Sequence, residues 1–212
     1  MDLVDWTMAK VILLTGFSNY DRYYVNPSEE IVEFLNGSYI YDYKIHGLIL
    51  PVSITNAPKI LINHLNTLKP DIVLGLGLSP KAKNIIIELV SANIAHFPDY
   101  KDIDGETAWM KLIGNNRVEV LSTRLPIFKI MESCCREKGF KISVGLSIGT
   151  YLCNIVGYEI LRYAHKNSLP GGFIHIPPST DLALRLGLNN YMPLKEMLQA
   201  ITCILATTIE EI

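Results

Sequence analysis

The chain has 212 residues, 49% of them hydrophobic, which suits one domain with a large core better than two small ones. With 19 basic and 21 acidic residues the formal charge is −2, too weak a field to draw in nucleic acid or an anionic membrane. The apolar runs at 10–17 and 85–90 fall well short of the roughly 20 residues of a membrane helix, and residues 1–10 carry acids where a secretory signal has a basic start.

A soluble, cytoplasmic protein acting on small or neutral molecules is therefore expected, as one domain over residues 1–212 with 1–9 as a disordered N-terminal extension. In chain order, 10–15 reads as a buried strand ended by Gly16, and Asn26-Pro27-Ser28 starts a helix through Ile31, Val32, Phe34 and Leu35. A strand at 47–52 is followed by a helix at 56–68, stopped by Lys69-Pro70, and a buried strand at 71–76. Three consecutive isoleucines make 84–92 a strand, although its length would allow a helix. Residues 98–116 read as an exposed loop, 118–122 as a strand and 126–138 as a helix. Then come a strand at 141–147, a largely apolar helix at 151–166, a core strand at 172–176 closed by Pro177-Pro178, and an amphipathic helix at 193–211. Strands alternating with helices indicate an α/β fold.

Four cysteines, Cys134, Cys135, Cys153 and Cys203, have neither zinc-site spacing nor the density of a disulfide scaffold, so all are read as free thiols. The vicinal pair Cys134-Cys135 is assigned to core packing. Gly75-Leu76-Gly77 lacks the third glycine of a dinucleotide fingerprint, 102–105 lacks the remaining ligands of a calcium loop, and the histidines form no zinc-binding pair. No cofactor and no metal are indicated.

Three residues carry possible chemistry. Cys153 falls in the first turn of a helix that follows a strand and a glycine turn, a setting that favours a nucleophilic thiolate. A buried structural thiol is the alternative. His175 stands near the C-terminal end of the strand at 172–176, where sheets of this class place ligand and catalytic groups, although a core imidazole bonded to backbone fits equally. Glu88, inside the run Ile85-Ile86-Ile87-Glu88-Leu89-Val90, is either a solvent-facing residue of an edge strand or a buried carboxylate with a partner.

Four segments, in order across nearly the whole chain, resemble the type I pyroglutamyl peptidases, also called pyrrolidone-carboxylate peptidases. Ser147-Ile148-Gly149-Thr150-Tyr151-Leu152-Cys153-Asn154 is similar to the family's S-A-G-x-Y-x-C-N around its nucleophile, and Gly172-Phe173-Ile174-His175-Ile176-Pro177 to its G-F-I-H-V-P. The stretch from Gly77-Leu78 through Glu88 to Asn93 keeps the spacing to the triad glutamate, and Thr15-Gly16-Phe17 with Asn26-Pro27-Ser28 matches the first loop.

The resemblance implies a three-layer α/β/α sandwich with a mixed twisted sheet, of the phosphorylase/hydrolase-like kind. It also implies a Cys153–His175–Glu88 triad that removes pyroglutamate from peptide N-termini through a thioester. By the same alignment Phe17 and Tyr20 pack on the lactam ring, with Asn26 anchoring their loop, and the partners are pyroglutamyl peptides and further copies of the chain, as dimer or tetramer. The sequence departs from the family in the first loop, where two glycines give way to Asp21 and Arg22. Family arginines also fall at Ala82, at Leu89 and near His96. An amidase for another small N-terminal acyl group, or a non-catalytic binding member, are the competing readings.

Overall fold

The computed structural model describes residues 10–20, 23–114 and 117–212; residues 1–9, read above as an extension, lie outside them. The strand β1 (Lys10–Phe17) shows how the sequence makes the layers: Ile12 and Leu14 face one hydrophobic layer and Leu13 the other. A strand buried on both faces reads as an unbroken apolar run, which is why it stands out in the sequence.

Helix α1 (Pro27–Leu35) follows, with Asn26 accepting from the Ser28 amide as N-cap and Pro27 in its first turn. After it come β2 (Tyr39–Ile40), β3 (Tyr43–Leu50), α2 (Asn56–Leu68), β4 (Ile72–Leu78) and β5 (Ile85–Ala92). Next are β6 (Ala95–Phe97), β7 (Ala108–Lys111), β8 (Val120–Ser122), α3 (Ile127–Ile130), β9 (Ile142–Ser147) and α4 (Leu152–Asn167). The chain ends with β10 (Gly171–Ile176), α5 (Thr180–Leu186) and α6 (Leu194–Glu210).

Among the described residues the main sheet runs β2-β3-β1-β4-β10-β5-β8, with β9 on the free edge of β5. Strands β3, β1, β4 and β10 are parallel, while β5 runs antiparallel to β10, so the sheet is mixed. Helices α1, α3 and α6 cover one face through Ile31, Ile130 and Ile201, and α2 and α4 cover the other through Leu61, Leu65 and Ile160. This is the α/β/α sandwich that the resemblance implied.

Four details correct the sequence reading. The span 98–116 is not all loop, because β7 pairs antiparallel with β6 as a separate hairpin. A helix absent from the reading, α5, starts at Ser179, whose hydroxyl accepts from the Leu182 amide, and ends at Gly187 in the left-handed region. The helix read over 126–138 is α only to Ile130 and continues as π-helix over Met131–Glu137. Finally, Cys134 and Cys203 are not free thiols: they form a disulfide between the π-helical turn and α6, with Cα atoms 6.0 Å apart. Their separation of 69 residues hid the pair, which meets only because both helices pack on the same face. Cys135 and Cys153 remain free.

Candidate active site

The site is built where β4, β10, β5 and β9 lie side by side. In register, His175 of β10 is opposite Gly77 of β4 and Ile86 of β5, while Glu88 is opposite Gly145 of β9. With a period of two, Ile86 and Glu88 point to the same face, so the carboxylate is carried toward the imidazole. His175 Nδ1 and Glu88 Oε1 are 2.7 Å apart, with side chains 13% and 6% exposed. Glu88 is thus not the solvent-facing residue of an edge strand that one reading allowed. Its second oxygen, Oε2, is buried without a hydrogen-bond partner among the described residues.

Cys153 enters from the helix layer as the second residue of α4, after Tyr151 at the N-cap. It is half-buried, and its sulfur lies against Gly77, the residue opposite His175 in the sheet. With Nδ1 held by Glu88, Nε2 is the ring nitrogen left for another partner. Two glycines make room for this line of groups. A Cβ on Gly77 would stand 2.8 Å from Cys153 Sγ, and one on Gly145 would stand 2.2 Å from Glu88 Oε2. Neither position tolerates a side chain without displacing the group beside it.

Burial works against an imidazolium, but the nearby Cys153 and the hydrogen-bonded Glu88 outweigh it and lift the His175 pKa from 6.5 to about 9. An imidazole of this kind beside a cysteine is a setting in which a thiol can act as a nucleophile. The next residue, Asn154, fixes the approach of α4. Its fully buried amide accepts from Ser91 Oγ at 2.7 Å and the Ala92 amide at 3.1 Å, and donates to the Ala92 and Ile94 carbonyls, each at 2.8 Å. All of its hydrogen-bonding capacity is spent tying the start of α4, next to Cys153, to the end of the strand that carries Glu88.

Cys153 opens into a cavity of about 860 Å³ whose walls include Phe17, Tyr20 and Asn26, the three residues assigned to the substrate by alignment. Phe17 ends β1, where its amide donates to Ser28 Oγ at 3.0 Å. Asn26 Nδ2 donates to the Ser18 carbonyl at 3.2 Å while its Oδ1 accepts from Ser28 Oγ at 2.8 Å, which ties the loop to the start of α1. Asp21 and Arg22, the residues that replace the family's glycines, lie outside the described residues.

Sequence reading missed the opposite wall, where Tyr100, Lys101 and Tyr151 line the cavity, as well as Lys81 at its edge. The only signal for the first two was the proline, glycine and acids around them, which announce a turn but not where it docks. Ala82, where a family arginine was missed, is buried, and its neighbour Lys81 supplies a cation to the cavity.

Among the described residues no group of three or more His, Cys, Asp or Glu side chains is placed to hold a metal ion, and no helix is long and apolar enough to cross a membrane.

A sequence model of the family described as pyroglutamyl peptidase matches residues 10–211. The chain is 35% identical over 198 residues to the pyrrolidone-carboxylate peptidase of Halalkalibacterium halodurans, covering 92% of this chain and 97% of that protein. It is 34% identical over 179 residues to the pyrrolidone-carboxylate peptidase of Thermococcus litoralis, covering 81% and 78%. The solved pyrrolidone carboxyl peptidase of T. litoralis superimposes with a TM-score of 0.89 at 30% identity, over 95% of this chain and 94% of that one. A structure of the Pyrococcus furiosus protein does so with a TM-score of 0.89 at 29% identity, over 95% and 99%.

Proposed function

The chain belongs to the pyroglutamyl peptidase family, and on that premise we propose that it is a cysteine peptidase that removes pyroglutamate from peptide N-termini, with Cys153, His175 and Glu88 as its triad. The observation that carries this reading is the 2.7 Å bond between His175 and Glu88, with the free thiol of Cys153 lying against Gly77, the residue opposite His175. Glu88 fixes the ring and balances its charge, as the carboxylate of any such triad does.

In this reading the Cys153 thiolate attacks the carbonyl carbon that joins pyroglutamate to the next residue. The developing oxyanion lies at the N-terminus of α4, where the first amides have no intrahelical acceptor and the helix end is positive. The His175 imidazolium gives its proton to the departing amine, leaving a thioester on Cys153 and a neutral ring. That ring then takes a proton from water, which attacks the thioester and frees pyroglutamate. Phe17 and Tyr20 offer aromatic walls to the uncharged lactam.

The test is mass analysis of products and enzyme after mixing with a pyroglutamyl peptide. Free pyroglutamate plus the shortened peptide, with an acyl adduct on Cys153 trapped by acid quench, is expected. An intact peptide, or turnover that persists in Cys153→Ala, would overturn the assignment.

A further inference from the structure

The loop from 99 to 106 beside the cavity is held to the turn before α2 by Asp104, which accepts from Ser53 Oγ at 2.6 Å, by the Ile103 amide on the Val52 carbonyl at 3.0 Å, and above all by one buried carboxylate. Asp102 is only 3% exposed, and its Oδ2 accepts from the Ile54 amide at 2.8 Å, which ties the loop to the turn between β3 and α2. Its Oδ1 accepts from the amides of Asp104 at 2.9 Å and Glu106 at 2.8 Å, which closes the loop on itself. Three backbone donors on one carboxylate make a rigid knot, because charge-assisted bonds of this kind are about twice as strong as neutral ones. The preceding residue is fixed by two tyrosines: the Lys101 carbonyl accepts from the Tyr20 hydroxyl at 2.6 Å and the Tyr151 hydroxyl at 3.5 Å.

The result is that Tyr100 is presented at the rim. It lines the same cavity as Cys153, meets Tyr151 edge-on with ring centroids 6.4 Å apart, and is nevertheless 71% exposed. An aromatic ring held by a rigid loop and left open to solvent is a surface waiting for a contact. The cavity is also too large for the lactam alone. Its 860 Å³ falls within the range that takes a whole drug-sized ligand, about 300–1,000 Å³, while a five-membered ring has only a handful of atoms.

Resting on the peptidase reading above, we propose that Tyr100, positioned by the Asp102 knot, is the specificity-determining contact for the residue that follows pyroglutamate, and that it favours an aromatic or large apolar side chain there. Tyr100 acts by direct packing, whereas Asp102 is a positioning residue that acts through the loop.

The experiment compares kcat/KM for pyroglutamyl-phenylalanine amide and pyroglutamyl-alanine amide. The parent is expected to favour the phenylalanine peptide by roughly three- to tenfold, the yield of one aromatic contact. In Tyr100→Ala that ratio falls to near one, and in Tyr100→Phe, which keeps the ring, it is retained. Asp102→Asn, which removes the charge behind the knot, raises KM for both peptides with a smaller change in kcat. A parent with no preference, or a preference that survives in Tyr100→Ala, overturns the proposal while leaving the peptidase reading intact. Turnover of neither peptide by the parent overturns the peptidase reading, and this proposal with it.

Discussion

Because Glu88 is bonded to the His175 ring and Cys153 lies nearby, the ring keeps its proton up to about pH 9, well above the ordinary 6.5 of a histidine. Loss of that proton removes the acid that serves the leaving amine, so kcat/KM is expected to fall as pH rises through about 9. In Glu88→Gln the ring loses one of the two negative groups that hold its charge. The alkaline limb should then move toward neutral pH, and kcat should drop roughly 10²- to 10⁴-fold, with the fold preserved. A limb that stays in place in the variant would separate Glu88 from the proton. The same group makes stability depend on pH. A histidine whose pKa is raised by folding stabilises the native state fully below about 6.5, and that contribution is lost as pH climbs through about 9. Denaturant midpoints measured on either side of that window should show the loss in the parent and less of it in His175→Ala.

Elements decide whether these residues meet. Gly77 and Gly145 sit on the strands flanking the dyad, each with no room for a Cβ. Gly77→Ala should therefore push Cys153 off line and reduce kcat by at least about tenfold, a larger effect than its effect on the melting temperature. Equal activity in a folded Gly77→Ala would mean that the close approach is irrelevant.

The Cys134–Cys203 disulfide makes the opposite prediction, since it lies in the helix layer across the sheet from α4. Opening it with Cys203→Ser should cost about 2–5 kcal/mol in denaturant unfolding and leave kcat/KM within about twofold. At this scale the sequence was readable wherever one strand or helix carried its own pattern. The run Lys10–Phe17, the Asn26 cap and the apolar helix after Cys153 were all legible. What stayed hidden depends on distant parts meeting: β7 gains its status from β6, Cys134 from Cys203, and the Asp102 loop from the turn at Ile54. The short helix α5 is different, because its Ser179 cap and Gly187 stop are local signals that the adjacent double proline masks.

Across the whole molecule, the sheet brings His175 and Glu88 together and helix α4 brings Cys153 beside them, although the three lie far apart in the chain. The motifs around Cys153 and His175 showed which residues to expect; only the sheet register shows why Glu88 reaches the ring. The outer strand β9 leaves Leu146 76% exposed and Val144 beside it 41% exposed on an edge unpaired among the described residues. Edges of this kind are normally covered, and a second copy of the chain is the cover this account expects. Light scattering should give a dimer or tetramer that Leu146→Lys weakens, and a monomeric parent would remove that expectation.

Cleavage of the bond after pyroglutamate by a Cys153 thiolate, kept by His175 and Glu88, is checked by following amine release from a pyroglutamyl-linked fluorogenic substrate with the parent, Cys153→Ala and Glu88→Gln. Turnover by the parent, none by Cys153→Ala and a small residue in Glu88→Gln are expected. A folded parent that releases no more amine than Cys153→Ala would contradict the assignment.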